Sequence, residues 1–131
     1  KSNSILNTPP TMSIFVLNLV TNWMLEMGGI DYFQNKAHDQ STEIYDFIDS
    51  NSNVLNCKVD NKYRSKSNIV FNFLNDEHNK EFVNLAAEKG IIGINGHRSV
   101  GGIRVSLFNS IDDHMFDYFM KYFKNYVIGI K

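Results

Sequence analysis

The residues best suited to chemistry lie together in Asn95-Gly96-His97-Arg98-Ser99-Val100-Gly101-Gly102-Ile103-Arg104-Val105-Ser106. A guanidinium group is a planar fork of donors matched to carboxylate or phosphate, and glycine lets a backbone approach a ligand closely. Two arginines and a histidine around a Gly-Gly pair therefore suit anion recognition. Past the glycines the residues alternate, so Ile103, Val105 and Leu107 share one strand face and Arg104, Ser106 and Phe108 the other. An unpaired cation on so apolar a strand is costly, which favours a ligand for Arg104. Arg98 fits a solvated hairpin arginine or an anion donor equally well. His97 alone reads as a loop histidine; beside Arg98 it becomes a second donor to the same anion.

The other reactive residue types carry less. Asn7 and Thr8 precede Pro9-Pro10 at the expected start of a helix, where side-chain donors and free backbone N–H groups suit a phosphate, although a plain N-cap explains Thr8 as well. His38, His78 and His114 show no metal-ligand spacing with Cys57 or one another, so no metal is expected. Ser106 has no neighbouring base and reads as a strand serine. Phe116, Phe119, Phe123 and Tyr126 fall at helical spacing and read as core or interface, not as a platform for stacking bases.

These residues need a scaffold, and 131 residues with 43% hydrophobic content suggest a single domain over 1–131. Thirteen basic against fourteen acidic residues give a net charge of -1, which argues against nucleic acid as a partner and makes any anion site local. The single Cys57 allows no internal disulfide and suggests a reduced, cytoplasmic setting. The apolar stretch Ile14 to Met27 is interrupted by Asn18, Thr21, Asn22 and Glu26, so no membrane partner is expected. Lys1 does not read as a natural start, and the chain is expected to be a piece of something longer.

In order, Pro9-Pro10-Thr11 opens a helix over Met12 to Met27, expected to be buried on several sides because its apolar residues cover more than one stripe. After Gly28-Gly29, an amphipathic helix carries Ile30, Phe33, Ala37, Ile44, Phe47 and Ile48 on one face. Val54 to Val59 suggests a short strand and Asp60 to Lys66 a basic loop. Ile69, Phe71 and Phe73 alternate with Val70, Asn72 and Leu74 in a strand apolar enough on both faces to be central. A helix capped at Asn75-Asp76 buries Phe82, Leu85 and Ala86 and ends at Lys89-Gly90, and Ile91 to Ile94 reads as a brief strand. The last helix starts at Ser110 with Asp112 and Asp113 in its first turn. This order predicts an α+β fold, a short mainly antiparallel sheet with helices packed on one face.

Asn7-Thr8-Pro9-Pro10-Thr11 together with Gly96 to Ser106 resembles the C-terminal part of the phosphoserine aminotransferase family. Trp23, Gly28-Gly29, Arg64-Ser65 and Asn68 also match signatures of that family, while Lys66 and Ile69-Val70 depart from it. The resemblance implies the small C-terminal domain of the fold type I aminotransferase architecture, with 1–11 entering from a large domain. It further implies a cytoplasmic homodimer that uses pyridoxal 5'-phosphate to move an amino group between glutamate and 3-phosphohydroxypyruvate, giving phosphoserine and 2-oxoglutarate in serine biosynthesis. Under it, Asn7 and Thr8 contact the cofactor phosphate across the dimer, in place of a capping role. His97 and Arg98 grip the substrate phosphate, and Arg104 pairs with the α-carboxylate. The family's Schiff-base lysine lies upstream of the Asn-Thr-Pro-Pro-Thr motif, so no residue here is expected to be catalytic. Read without the resemblance, the same cluster suits a free-standing binding module for small phosphorylated or carboxylated metabolites. A related class V enzyme with another substrate fits the fold, but gives His97 and Arg98 no obvious partner.

Overall fold

The computed structural model describes residues 7–131, so the 1–6 part of the expected entering segment lies outside the described residues. The chain divides into two compact units, Lys1–Asn35 and Lys36–Lys131.

In the first unit, α1 (Thr11–Glu26) starts at an N-cap Pro10 that has no side-chain cap bond. Thr8 is therefore not the cap: the backbone closes the turn itself, Thr11 N–H donating to Pro9 C=O at 2.8 Å and Ile14 N–H to Pro10 C=O at 3.1 Å. Gly28 and Gly29, at φ 111° and 71°, end the helix because few side chains tolerate that backbone. No residue of α1 is buried, and Met12, Ile14, Phe15, Val16, Leu17, Leu19, Val20, Trp23 and Leu25 are 37–71% exposed. The expected burial on several sides is thus not met among the described residues; Trp23 does pack on Phe33, ring centroids 5.3 Å apart. Phe33 belongs to α2 (Gly29–Ser50), whose buried face starts there. Ile30, expected on that face, is 76% exposed, because it lies in the first turn after the glycine break.

The second unit holds one sheet in the order β1-β2-β4-β3, every pairing antiparallel: β1 (Leu55–Asn56), β2 (Asn68–Phe73), β3 (Asn95–His97) and β4 (Gly101–Ser106). Ile69, Phe71 and Phe73 of β2 and Ile103 and Val105 of β4 turn to one face and are buried. Onto it pack Ile44, Tyr45 and Ile48 of α2, Phe82 and Ala86 of α3 (Asp76–Glu88), and Phe116, Phe119, Met120, Phe123 and Val127 of α4 (Asp113–Gly129). Phe123 is fully buried, stacked on Phe71 at 4.8 Å and edge-on to Phe47 at 4.9 Å. The helices gather on this side only. β2 is central as expected, yet its second face is not covered: Val70 is 38% exposed and Asn72 half-buried.

Several boundaries move for local reasons. The expected strand Val54 to Val59 shrinks to Leu55–Asn56, the length over which β2 offers partners in Phe73 and Asn72. Ile91 to Ile94 is not a strand. Gly90 at φ 79° ends α3, with its N–H donating to Ala87 C=O and Ile91 N–H to Ala86 C=O, and Gly93 at φ 78° breaks the extension again. Pairing begins only at Asn95. α4 is capped by Asp112, whose carboxylate accepts from Met115 N–H at 2.7 Å; Ser110 lies in a turn closed by Ile111 N–H to Phe108 C=O.

The β3–β4 hairpin turns through Arg98-Ser99, Val100 N–H donating to His97 C=O at 3.0 Å, and rejoins the ladder at Gly101. A Cβ on Gly96 would collide with the Gly101 carbonyl of the facing strand. In the segment after β1, Arg64 forks onto Asp49 at 2.7 and 2.8 Å and lies 4.7 Å from the centre of the Tyr45 ring. Burial pushes the Tyr45 hydroxyl up to about 12, and it donates to Ser65 C=O at 3.0 Å. The Arg64 hydrogen bonds hold the Asp49 carboxyl below its ordinary value.

Two expectations follow. The folded chain binds the Asp49 proton more weakly than the unfolded chain, so the pair's contribution is full at neutral pH and is lost as pH falls through the carboxylate range. Asp49→Asn should cost about 0.5–1 kcal/mol at pH 7, the range of a half-exposed pair, and little at pH 3; equal losses in urea unfolding at both pH values would contradict this. Gly96→Ala should cost about 1–3 kcal/mol through overpacking, whereas Gly129→Ala, with nothing near its added methyl, should be close to neutral.

Candidate functional site

The hairpin, the end of β2 and the start of α3 enclose a cleft of about 1220 Å³. Arg104 reaches it because the β4 alternation that buries Ile103 and Val105 sends residue 104 to the opposite face, across from Val70. Its side chain is half-buried, and its Nε is buried without a hydrogen-bond partner among the described residues. A desolvated guanidinium N–H left unmet costs free energy that an incoming carboxylate would offset.

His97 and Arg98 line the same cleft from the hairpin turn, both exposed. The Ser99 backbone N–H donates to His97 Nδ1 at 3.3 Å, and Ser99 Oγ lies 2.7 Å from the same nitrogen. A backbone N–H can only donate, so Nδ1 is an acceptor and the neutral ring carries its proton on Nε2. Nε2–H is left as a donor. The three residues singled out in this part of the sequence are thus brought together. Asn7 and Thr8 belong to the first unit, where both are exposed and neither side chain is engaged in a hydrogen bond among the described residues.

Sequence reasoning did not pick out Lys58, from the segment after β1, or Lys80 in the second turn of α3, yet both line the cleft. The available signal was the Asn75 cap, whose side chain accepts from Glu77 N–H at 3.1 Å. Because β2 passes into α3 through two residues, the first turns of that helix must sit at the end of β2. Asn72 lies against Gly102 so closely that a Cβ there would collide with its amide, which ties that strand end to the hairpin.

The lining therefore holds Lys58, Lys80, Arg98, Arg104 and His97 against one carboxylate, Asp76. None of these five side chains takes part in an ion pair among the described residues; the pairs there are Arg64–Asp49, His78–Glu81 and Lys124–Glu43. Such a surface suits an anion, and its lining holds neither a cysteine nor a serine as nucleophile. Elsewhere, Ser106 Oγ donates to Asn68 Oδ1 at 3.0 Å across the β2–β4 ladder, and the aromatic stripe of α4 is core.

The family model described as aminotransferase class-V matches residues 2–119. Phosphoserine aminotransferase of Bacillus thuringiensis subsp. konkukian is 38% identical over 126 residues, covering 96% of this chain and 35% of its own length. That of Dichelobacter nodosus is 41% identical over 111 residues, 85% of this chain and 31% of its own. Among solved structures, phosphoserine aminotransferase from Bacillus circulans subsp. alkalophilus superposes with a TM-score of 0.92 at 33% identity, over 99% of this chain and 36% of that one. The chain thus spans about a third of the length of the relatives it matches. With the family model covering nearly all of the sequence, this chain belongs to the class-V aminotransferases.

Proposed function

We propose that the chain is the C-terminal domain of a phosphoserine aminotransferase, which transfers an amino group between glutamate and 3-phosphohydroxypyruvate to give phosphoserine. The observation that carries this is the half-buried Arg104, its Nε unmet, on the same cleft as His97 and Arg98. Phosphoserine bears a carboxylate and a phosphate, and glutamate two carboxylates. Arg104 takes the α-carboxylate both amino acids share, and His97 Nε2–H with the Arg98 fork takes the other anion.

The cofactor of this reading is pyridoxal 5'-phosphate, which supplies an electron sink for the carbanion formed at the substrate α-carbon. The donors of this chain fit its phosphate: Asn7 and Thr8 offer an amide and a hydroxyl, both exposed and neither spent on capping α1. We place the enzyme in the cytoplasm as a homodimer, with Asn7 and Thr8 serving the partner's site and the lysine that carries the cofactor contributed from outside these residues. His97, Arg98 and Arg104 bind and orient the substrate and move no proton themselves.

The 131-residue chain alone, supplied with pyridoxal phosphate, should show no transamination. In the longer enzyme that contains it, Arg104→Ala should lower kcat/KM for phosphoserine about 10- to 100-fold, the loss of a charge-assisted bidentate contact, and full activity would sink the assignment. Arg98→Ala should raise KM for phosphoserine more than for glutamate. Tight binding of phosphoserine by the isolated chain in calorimetry would favour a free-standing binding module instead.

A further inference from the structure

We propose that Lys58 and Lys80 make the cleft select a doubly charged phosphate group over a carboxylate. The inference rests on reading the cleft as the substrate site and names the residues that set its preference between its two substrates.

A phosphate monoester presents three acceptor oxygens and close to two negative charges. His97 offers one N–H from Nε2 and Arg98 a fork of two, enough for a carboxylate and too few for a phosphate, whose three oxygens accept more than three hydrogen bonds. The remaining donors must come from elsewhere in the lining. Asn79, the neutral side chain that α3 adds to the lining, is already engaged: its Oδ1 accepts from Phe73 N–H at 2.9 Å, and its Nδ2 donates to Asp76 Oδ1 at 3.3 Å. Asp76 is the one carboxylate in the lining, and it pairs with neither lysine among the described residues. Lys58 and Lys80 are exposed, line the cleft from two elements apart from the hairpin, and form no ion pair among the described residues. Lys58 also borders a smaller cleft with Asp60, but the two form no ion pair among the described residues. At a given distance a fixed cation attracts a dianion twice as strongly as a monoanion. Two mobile ammonium groups therefore add more to phosphate binding than to carboxylate binding, and salt should weaken the difference.

The test is titration of the 131-residue chain with inorganic phosphate and, separately, acetate, followed by the amide resonances of Gly101 and Gly102. Lys58→Gln/Lys80→Gln should weaken phosphate binding about three- to tenfold while changing acetate by less than about twofold. Lys58→Arg/Lys80→Arg should restore phosphate binding. In the longer enzyme the glutamine pair should raise KM for phosphoserine several-fold and leave KM for glutamate nearly unchanged. Unchanged phosphate binding in the glutamine pair, an equal loss for both anions, or no response of the parent chain to phosphate would overturn the proposal. An active Arg104→Ala enzyme would instead remove the substrate reading, while the phosphate-to-acetate ratio would still report on the lysines.

Discussion

The antiparallel register of β2 against β4 is the constraint on which the rest depends. Pairing Ile69 with Val105 and Phe71 with Ile103 sends all four side chains to the helical side and places Arg104 and Ser106 opposite, beside Val70 and Asn68. Side chains repeat every two residues along a strand, so a slip by one position would put Arg104 into the aromatic core and Val105 into the cleft. The core therefore fixes the site. Phe71, Phe82 and Phe123 are held by one another's rings, and the hydrophobic stabilisation they supply allows the sheet to keep a second face that no helix of its own unit covers among the described residues.

That uncovered face explains how a chain with a net charge of -1 makes a cationic surface. Acidic groups elsewhere are used locally: Asp49 holds Arg64, Glu43 holds Lys124, and Glu81 accepts from the Tyr126 hydroxyl and contacts His78. The cleft keeps a cationic excess because its lining sets one carboxylate, Asp76, against Lys58, Lys80, Arg98 and Arg104. The hairpin adds geometry to charge. Glycines at 96, 101 and 102 let two strands and the Asn72 amide close up where any side chain would collide or strain the backbone, and that closeness sets His97 and Arg98 over the same space as Arg104.

The first unit poses a different physical problem. Its helix α1 carries apolar residues on more than one stripe and has no buried residue, while a surface helix ordinarily confines its apolar residues to a single stripe. A contiguous apolar surface of this kind is a surface for contact with other protein. The chain spans about a third of the length of its relatives.

The sequence by itself determined the periodic features. Alternation in Ile69 to Phe73 and in Ile103 to Leu107 identified the buried strand faces and put Arg104 on the other one, and the helical spacing of Phe116, Phe119 and Phe123 identified a core stripe. These patterns are legible because backbone geometry imposes them residue by residue. Helix starts were legible unevenly: the Asn75 cap of α3 stands as read and α1 begins within one residue of Met12, but the last helix is capped by Asp112 where Ser110 was expected, since both side chains can cap and only the backbone geometry chooses between them. Tertiary structure alone decided that Lys58 and Lys80 join the hairpin, since they stand far from it in sequence and meet it only through the β2–α3 junction. It also decided that Val70 faces outward: alternation says which residues share a face, and only packing says which face the helices cover.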